Sequence, residues 1–381
     1  MYEIVNNRKI LVGENALLEL PANLQWYSVT KAFVVVYHPQ AEIVEKTLQL
    51  LASAGIGFCV YQEVTSEPGL WVIDRGAEIY AESGCDCVIA IGGGSVIDAA
   101  KTIAMLAANG GKAEEYQMMG RQVLKPAPLF VAVPTTAGTG AEATKVSVVI
   151  NNHNHWKKAI YHTSMIAELV ILEPTACFAL PRHIAVATGM DAITHAIESY
   201  VSLNANPVTE MYSLQALQLL VENITAICEN PKDAHAWEMM LLGSYFAGCA
   251  IAAGTGLAHI VGQPLGALHA IPHGDACAIF LVPSMKANML HSLLKYVSIA
   301  KVLGVNVSEM PKKEAAEAGI RCIGDLATRL GAPQKLTPYL KDGDFDLPFA
   351  IETIQGSMGH LKNNPRPVEP GVLAEMMQSV L

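Results

Sequence analysis

The chain has 381 residues, of which 51% are hydrophobic and 16% charged, and its formal net charge is −10 at pH 7. This composition excludes an intrinsically disordered protein, and the length favours two domains over one core. The negative charge and the lack of any Lys/Arg cluster argue against a nucleic-acid-binding surface. The eight cysteines form no Cys-x-x-Cys pair and the first residues do not resemble a signal peptide, so a reducing, cytoplasmic setting is expected.

The first half of the chain alternates between short apolar runs and amphipathic patterns. Strands are predicted at 32–36, 58–61, 87–91, 129–133 and 169–172, and helices at 39–53, 68–83 and 95–109. This alternation is typical of a parallel sheet covered by helices on both faces. A hairpin is predicted from 145–150 and 159–161, with 169–172 closing the sheet. His153 and His155 fall in the polar turn of that hairpin and fit a solvated turn better than a metal site.

From about Pro181 the strand patterns cease and helical periodicity takes over. Helices are predicted at 181–202, 206–229, 232–253, 275–290, 291–304, 311–330, 347–358 and 370–380. The interpretation is therefore an α/β domain, 1–180, followed by an all-helical domain, 181–381. Residues 239–258 are uncharged and long enough to span a bilayer. They lack flanking basic residues and an aromatic belt, so a buried helix is favoured.

A glycine-rich turn, Gly92-Gly93-Gly94-Ser95, follows the predicted strand 87–91 and precedes a helix that carries Asp98. Ligands of open α/β sheets bind at this kind of position, and glycines let the backbone approach a phosphate at a helix N-terminus. The turn matches neither the usual dinucleotide motif nor a Walker loop. The alternative is a structural turn with Ser95 as helix cap, but three consecutive glycines favour phosphate binding.

A second loop follows the next predicted strand and contains Thr135, Thr136, Gly138, Thr139 and Gly140. Its three hydroxyls and two glycines suit a pyrophosphate or a nicotinamide carboxamide. The alternative is a capped turn in which Thr139 or Gly140 begins a short helical segment. Because the two loops follow neighbouring strands, they are expected to lie together at the carboxyl edge of the sheet.

Four side chains suggest a metal site. Asp191 and His195 are four residues apart on the predicted helix 181–202, and therefore on one face. His259 and His273 lie in the uncharged stretch 254–274, where an unpaired ionisable group would be costly. One carboxylate and three imidazoles suit Fe(II) or Zn(II). Metal-assisted hydride transfer and metal-dependent nucleotide hydrolysis are both open from these residues alone.

The motifs, in this order, resemble those of the iron-containing (group III, metal-dependent) alcohol dehydrogenase family over nearly the whole chain. They are Gly92-Gly-Gly-Ser-Val-Ile-Asp-Ala-Ala-Lys101, Pro134-Thr-Thr-Ala-Gly-Thr-Gly-Ala-Glu142, Gly189-Met-Asp-Ala-Ile-Thr-His-Ala-Ile-Glu198, the segment from Gly266 to Pro272-His273-Gly274, and Asn364-Pro-Arg366. The resemblance implies a Rossmann-like NAD(P)-binding domain, an all-α C-terminal domain, dehydroquinate synthase-like architecture and an active site in the cleft.

The resemblance also implies the residue roles. Asp191, His195, His259 and His273 would hold Fe(II) or, in some members, Zn(II). NAD or NADP would be held by Gly92, Gly93, Gly94, Ser95, Asp98, Thr135, Thr136, Thr139, Lys157 (less readily Lys158) and Tyr37. The implied activity is a metal-dependent alcohol dehydrogenase or aldehyde reductase acting on a small primary alcohol. The alcohol loses its proton at the metal and passes hydride to nicotinamide C4. A homodimer or higher homo-oligomer is expected, with residues 2–12 as a pairing segment.

Two departures from the family pattern affect these expectations. Many members carry a further histidine four residues after the third ligand, where this chain has Gln263. His269 is the candidate substitute for proton transfer and, with His273, is assigned a catalytic role. Where relatives that prefer NAD carry an acidic residue after the first strand, this chain has Tyr37-His38, which leaves NADP open.

The competing function is a metal- and NAD-dependent cyclase of the dehydroquinate synthase type, which is a lyase. Such an enzyme needs several basic residues for an acidic, phosphorylated substrate. The stretch 239–274 contains no Lys or Arg, which disfavours the cyclase. The apolar, small-residue character of 247–268 instead favours a small, weakly polar substrate.

Overall fold

The computed structural model describes residues 2–64, 68–151, 157–340, 345–357 and 362–381. The chain divides into two compact units. The first comprises Met1–Leu180 and Lys232–Tyr245, and the second comprises Pro181–Pro231 and Phe246–Leu381.

The first unit is built on a six-stranded parallel sheet. Its strands are β1 (Lys9–Val12), β2 (Lys31–Val36), β3 (Gly57–Tyr61), β4 (Cys87–Gly92), β5 (Leu129–Pro134) and β8 (Leu169–Leu172), in the order β1-β8-β5-β4-β2-β3. All six residues of β4 are buried, because helices cover both faces of the sheet, as all-parallel sheets require. The predicted parallel sheet is confirmed.

The helices of this unit that precede β5 are α1 (Leu20–Trp26), α2 (Glu42–Ser53), α3 (Leu70–Ser83), α4 (Gly94–Asn109) and α5 (Ala113–Met118). The first part of α8 (Ala234–Ala250) also belongs to it. Side chains of α1 and α2 pack with Val34, Ile89 and Val131 in one apolar cluster. On the opposite face, α4 packs against β4 and β5. The helices α2, α3 and α4 were predicted to within three residues, whereas α1 and α5 are short and were missed.

The edge of the sheet differs from the prediction. Strand β8 does not close the sheet, because it lies between β5 and β1. Residues Lys9–Val12, expected to pair with a second subunit, form β1 and pair in parallel with β8 of the same chain. An apolar start to the chain is compatible with either pairing, so the periodicity alone did not decide between them.

A separate antiparallel hairpin is formed by β6 (Val146–Ile150) and β7 (Lys157–Tyr161), as predicted. Strand β6 packs against α4. The turn that contains His153 and His155 lies outside the described residues.

The second unit is helical. Its helices are α6 (Arg182–Val201), α7 (Pro207–Glu229), the end of α8 (Ala234–Ala250), α9 (Leu257–His269), α10 (His273–Asn288), α11 (Leu293–Val302), α12 (Lys312–Leu330), α13 (Leu347–Ser357) and α14 (Pro370–Val380). Helix α9 was not predicted, because Pro264 and two glycines lower its intrinsic helix propensity. Tertiary packing outweighs this cost, since Leu257, Val261 and Leu265 are fully buried in a cluster with α13 and α14.

Among the described residues, one helical segment, Ala234–Ala253, is long and apolar enough to cross a membrane. In its most apolar window, 67% of the residues are buried inside the protein. This burial is what a core helix of a folded protein shows, and it agrees with the predicted buried helix.

Candidate metal and cofactor sites

Helix α6 carries the first part of the candidate metal site. Asp191, His195 and Glu198 are separated by four and then three residues, so they lie on one face of the helix. The helix begins after Pro181, whose fixed φ suits the cap position. All three side chains are buried, although charged groups are rarely buried unless they are paired or bind a metal.

Glu198 connects α6 to the start of α9. Its carboxylate accepts hydrogen bonds from the backbone N–H of Gly256 at 2.7 Å and of Ala258 at 2.5 Å. It thereby satisfies donors at the N-terminus of α9 that have no partner within the helix. A Cβ atom at Gly256 would lie 3.0 Å from Glu198 Oε1, so the absence of a side chain allows this close approach.

The same carboxylate orients His259. His259 Nδ1 lies 2.6 Å from Glu198 Oε2, and because a carboxylate only accepts, Nδ1 must carry the proton. In the neutral ring this leaves Nε2 as a lone-pair donor for a metal ion. A carboxylate behind a metal-binding imidazole is a common arrangement in metalloproteins, where it fixes the tautomer and the ring orientation. Glu198 was quoted in the sequence motif without a role, although its spacing from Asp191 and His195 would have placed it on the same face.

One carboxylate oxygen lies at the centre of the cluster. Asp191 Oδ1 is 3.7 Å from His195 Nε2, 3.3 Å from His259 Nε2 and 3.5 Å from His273 Nε2. The rings of His195 and His259 stack with centroids 4.4 Å apart. His273, the first residue of α10, has a side chain that is 30% exposed, compared with 2–7% for the other two imidazoles. The structure therefore brings together all four residues expected to bind metal.

The geometry and the unsatisfied atoms both fit a divalent transition metal. Asp191 Oδ1 and His259 Nε2 are buried and make no hydrogen bond, despite their 3.3 Å separation. Ligands around a tetrahedral zinc, at about 2.0–2.1 Å from the ion, are about 3.4 Å apart, close to the distances seen here. Ligand atoms of Asp191, His259, His273 and Cys277 all lie within 4.8 Å of one another. Cys277, one turn after His273 in α10, was not anticipated from the sequence.

The electrostatics of the cluster also favour a cation. Burial by itself raises the pKa of Asp191, but the imidazoles of His195, His273 and His259 outweigh it and hold that pKa far below its usual range. Burial by itself lowers the pKa of His259, yet the surrounding anionic groups raise it well above its usual value. Positive charge is thus stabilised at this position, and a bound metal ion can replace the proton.

The two predicted cofactor loops meet in the first unit. Strands β4 and β5 are neighbours with Gly92 opposite Pro134, and Thr135 N donates to Gly92 O at 3.0 Å. A Cβ atom at Gly94 would lie 2.6 Å from Thr139 Oγ1, and one at Gly93 would lie 3.3 Å from Thr136. The absence of a side chain at Gly94 therefore allows the two loops to contact each other, and Gly93 leaves little room for a side chain beside Thr136.

The start of α4 does not show the alternative in which Ser95 caps the helix. Gly93, not Ser95, is the N-cap, and no side chain caps the helix. Ser95 is the second residue of α4. The first N–H groups of this 16-residue helix have no side-chain cap, as in anion-binding helix termini. In the second loop Gly140, in the left-handed conformation, precedes the 3-10 helix Ala141–Ala143, and Thr139 Oγ1 accepts from Ala141 N at 3.3 Å.

Asp98 and Lys101 attach the second loop and the hairpin to α4. Asp98 Oδ2 accepts from Val148 N of β6 at 2.9 Å, and Asp98 Oδ1 lies 3.3 Å from Lys101 Nζ. The fully buried Lys101 donates to the carbonyls of Ala141 and Val146, both at 2.7 Å. Asp98 was expected to bind cofactor, and in the structure its carboxylate makes these contacts within the protein. Lys101 had no predicted role, although a charged pair three residues apart in an apolar helix indicates one.

The remaining predicted residues lie as follows. Tyr37 follows β2, which pairs with β4, and its side chain is 46% exposed. Lys157 is the first residue of β7. Gln263 is exposed one turn after His259 in α9. His269 ends that helix with its ring 5.9 Å from Phe345, and its buried Nε2 makes no hydrogen bond.

Comparison with known proteins identifies the family. The family model for iron-containing alcohol dehydrogenase matches residues 7–174, and the model for the C-terminal part of the Fe-containing alcohol dehydrogenase family matches residues 185–370. NAD-dependent methanol dehydrogenase of Bacillus methanolicus is 30% identical over 375 residues, 97% of each chain. 1,3-Propanediol dehydrogenase of Citrobacter freundii is 33% identical, covering 88% of this chain and 86% of the relative. Lactaldehyde reductase of Escherichia coli is 32% identical, covering 89% and 88%.

Solved structures agree with these matches. A crystal structure of 1,3-propanediol oxidoreductase has a TM-score of 0.95 at 30% identity, covering 100% of both chains. Alcohol dehydrogenase from Oenococcus oeni has a TM-score of 0.94 at 26% identity, also covering 100% of both. The resemblance inferred from the motifs is thus confirmed, and the chain belongs to the iron-containing alcohol dehydrogenase family.

Proposed function

We propose that the protein is a metal-dependent, NAD(P)-linked alcohol dehydrogenase that interconverts a small primary alcohol and its aldehyde. The observation that carries this proposal is the buried Asp191 Oδ1 with three imidazole nitrogens within 3.7 Å. The names of the relatives support small substrates, since they act on methanol, 1,3-propanediol or lactaldehyde. When bound, a divalent metal supplies Lewis-acid polarisation of the substrate oxygen.

The residues of the second unit divide this task. Asp191, His195, His259 and His273 hold the cation, and Glu198 keeps His259 in the metal-binding tautomer. His273 is the most exposed of these ligands, so we place substrate entry on its side of the cluster. The almost complete burial of the other ligands excludes water and strengthens their electrostatic interactions.

Proton transfer needs a group other than the histidine that many relatives carry at the position of Gln263. We propose His269 for this role, because burial lowers the pKa of its ring. A lowered pKa leaves the imidazole neutral near pH 7 and able to accept a proton. His273, also assigned a catalytic role, contributes as a metal ligand.

In the first unit we propose that Gly92, Gly93, Gly94, Ser95, Thr135, Thr136, Thr139, Lys157 and Tyr37 contact the nicotinamide cofactor. The two adjacent loops and the start of α4 support this assignment. Asp98 supports the site by holding β6. NAD is the expected cofactor, as the name of the methanol dehydrogenase states for that relative. Tyr37-His38 leaves no carboxylate to repel the 2′-phosphate of NADP, so NADP is expected to be accepted too.

The family name favours Fe(II), and we propose Zn(II) as the substitute ion. A cytoplasmic location and a homodimer or larger homo-oligomer are also proposed. The edge strand β1 offers a backbone ladder that suits pairing between subunits.

The test is an assay in which reduction of the nicotinamide cofactor is monitored through the absorbance of its reduced form. Protein purified without oxygen is supplied with Fe(II) or Zn(II), with NAD or NADP, and with ethanol, 1-propanol, 1,2-propanediol or 1,3-propanediol. Metal-dependent reduction with at least one primary alcohol is the expected result. If no pair reacts while the protein holds both metal and NAD, the alcohols tested are not its substrates, and the result favours a more specialised alcohol or a cyclase-type reaction.

A further inference from the structure

The thiol of Cys277 lies inside the candidate metal site although nothing in the proposed reaction uses it. Its Sγ atom is 3.8 Å from His273 Nε2. Together with the carboxylate of Asp191 and the imidazoles of His259 and His273, it forms the set whose ligand atoms lie within 4.8 Å of one another. Because Cys277 follows His273 by four residues in α10, both side chains lie on the same face of the helix.

A packing role does not describe all the surroundings of Cys277, because its sulfur also adjoins the metal-site cluster. A free cysteine often serves as a small apolar side chain, and Cys277 is fully buried. On the remainder of α10, Ala276, Ile279 and Phe280 do belong to an apolar cluster, but Cys277 is not a member of it. Its sulfur instead adjoins groups that carry charge, two of which, Asp191 Oδ1 and His259 Nε2, are buried without a hydrogen bond.

The distances match those of a metal sphere that includes sulfur. A sulfur about 2.3 Å and a nitrogen about 2.0–2.1 Å from one ion lie about 3.1–3.6 Å apart when the angle between them is about 90–110°. The observed 3.8 Å between Cys277 Sγ and His273 Nε2 is close to the upper end of this range. A bound metal ion would hold Cys277 as the thiolate, and the thiol proton would pass to solvent.

We propose that Cys277 is a further ligand of the metal ion and that its sulfur shifts the preference of this site from Fe(II) toward Zn(II) and Co(II). Soft thiolate donors favour zinc over the harder ions of the series. The thiol is fully buried whereas the His273 side chain is 30% exposed. A sulfur ligand on the buried side leaves the exposed side open for substrate, as a catalytic site requires.

This inference rests on the proposed metal site, and cobalt tests the two separately. Metal-free protein is loaded with one equivalent of Co(II), its cobalt content is measured, and its absorption spectrum is recorded. Wild-type protein is expected to show an intense near-ultraviolet band from thiolate-to-cobalt charge transfer. Cys277→Ser and Cys277→Ala should lack this band, whereas Cys249→Ser, which changes another buried cysteine of the second unit, should retain it.

A second readout concerns selectivity. When Zn(II) and Fe(II) compete for the site, the preference for Zn(II) should be about tenfold or more lower in Cys277→Ser than in wild type. Mutation of groups that only hydrogen-bond to metal ligands already changes metal affinity by about 10–100-fold. Wild-type protein that binds one Co(II) and shows no charge-transfer band, or Cys277→Ala protein that keeps the band, overturns the Cys277 assignment and leaves the dehydrogenase proposal intact. Wild-type protein that binds no metal at all overturns both.

Discussion

The orientation of the His259 ring depends on the carboxylate of Glu198. This carboxylate accepts from His259 Nδ1 and from two backbone amides at the start of α9. The amide of a glutamine has nearly the same shape but only one accepting oxygen. A substitution there should therefore disturb the metal site without emptying the space.

We expect Glu198→Gln to weaken metal binding by about 10–100-fold, the usual effect of losing a carboxylate behind a metal-binding imidazole. Affinity is measured by competition with a chelator of known strength, and kcat is measured at saturating metal. Glu222→Gln, which changes an exposed glutamate of α7, is the matched control. An affinity equal to that of wild type would show that Glu198 does not position His259.

Glu142 gives the first unit a pH-dependent stability. Burial raises the pKa of this carboxyl group from 4.5 to about 7. The folded chain therefore binds more protons than the unfolded chain between these values. The free energy of unfolding then falls as pH rises through this window and levels off above it.

The full effect of Glu142 is about 3 kcal/mol, from a difference of about 2.5 pH units at 1.36 kcal/mol each. Glu142→Gln should remove this pH-dependent fall in the free energy of unfolding. The stability of the variant relative to wild type should therefore increase as the pH is raised from 4.5 to 8. Denaturant unfolding at the two pH values measures the difference. Glu45→Gln, at an exposed site of α2, should keep the pH dependence of wild type. The same dependence in Glu142→Gln would rule the explanation out.

At the scale of secondary-structure elements, helix α4 organises the candidate cofactor site. Its N-terminus follows the glycine turn, and its buried Lys101 holds the carbonyls of Ala141 and Val146. The threonine loop and the hairpin thus depend on one side chain that never reaches solvent. Burying a charged pair such as Lys101 and Asp98 costs free energy. Removing one member of a buried pair is usually more costly still, because the other charge is left without its partner.

Lys101→Met should destabilise the segment Ala141–Val146 by about 3 kcal/mol, because its carbonyls and the carboxylate of Asp98 lose a buried donor. Amide hydrogen exchange in this segment should accelerate by roughly 100-fold, following 1.36 kcal/mol for each factor of ten. Lys125→Met, at an exposed loop position, should leave exchange unchanged. Unaltered protection in Lys101→Met would mean that the backbone alone holds the loop.

The elements also show what the sequence could and could not predict. Strands such as Cys87–Gly92 were found because a fully buried parallel strand is a continuous apolar run. Helix α9 was missed because Pro264 and its glycines oppose helix formation locally, and only contacts with distant helices overcome this. The pairing of β1 with β8 joins residues about 160 positions apart, and a local pattern holds no information about such a partner.

In the candidate site, the four expected metal-binding residues could be named from the sequence. Their residue types and spacing suggested a metal site, and the resemblance to the family gave each of them the role of a ligand. Cys277 could not be distinguished from other buried cysteines until α10 placed it beside His273. Ser95, considered as the alternative helix cap, does not take that position, because capping depends on backbone geometry and Gly93 is the N-cap. Residue type and spacing thus placed Asp191 and His195 on one face of a helix. The relation of Cys277 to His273 was missed because the helix was predicted to begin at 275, whereas α10 begins at His273.

At the scale of the whole molecule, each unit carries one half of the proposed chemistry. The first holds the candidate cofactor loops and the second holds the metal cluster. Activity should therefore require the cluster of the second unit even when the first unit is intact. Loss of a ligand such as His259 is expected to abolish metal-dependent turnover while NAD still binds, which fluorescence of the reduced cofactor can report.

The most direct test of the account is a metal titration of activity. Metal-free wild-type protein, without oxygen, receives increasing Fe(II) in the presence of NAD and the primary alcohol that reacts fastest. The rate should rise in proportion to bound iron and stop at one ion per chain. His259→Ala should stay inactive throughout, whereas His291→Ala, at an exposed position outside the cluster, should follow wild type. Full turnover in metal-free wild-type protein, or in His259→Ala, would contradict the account.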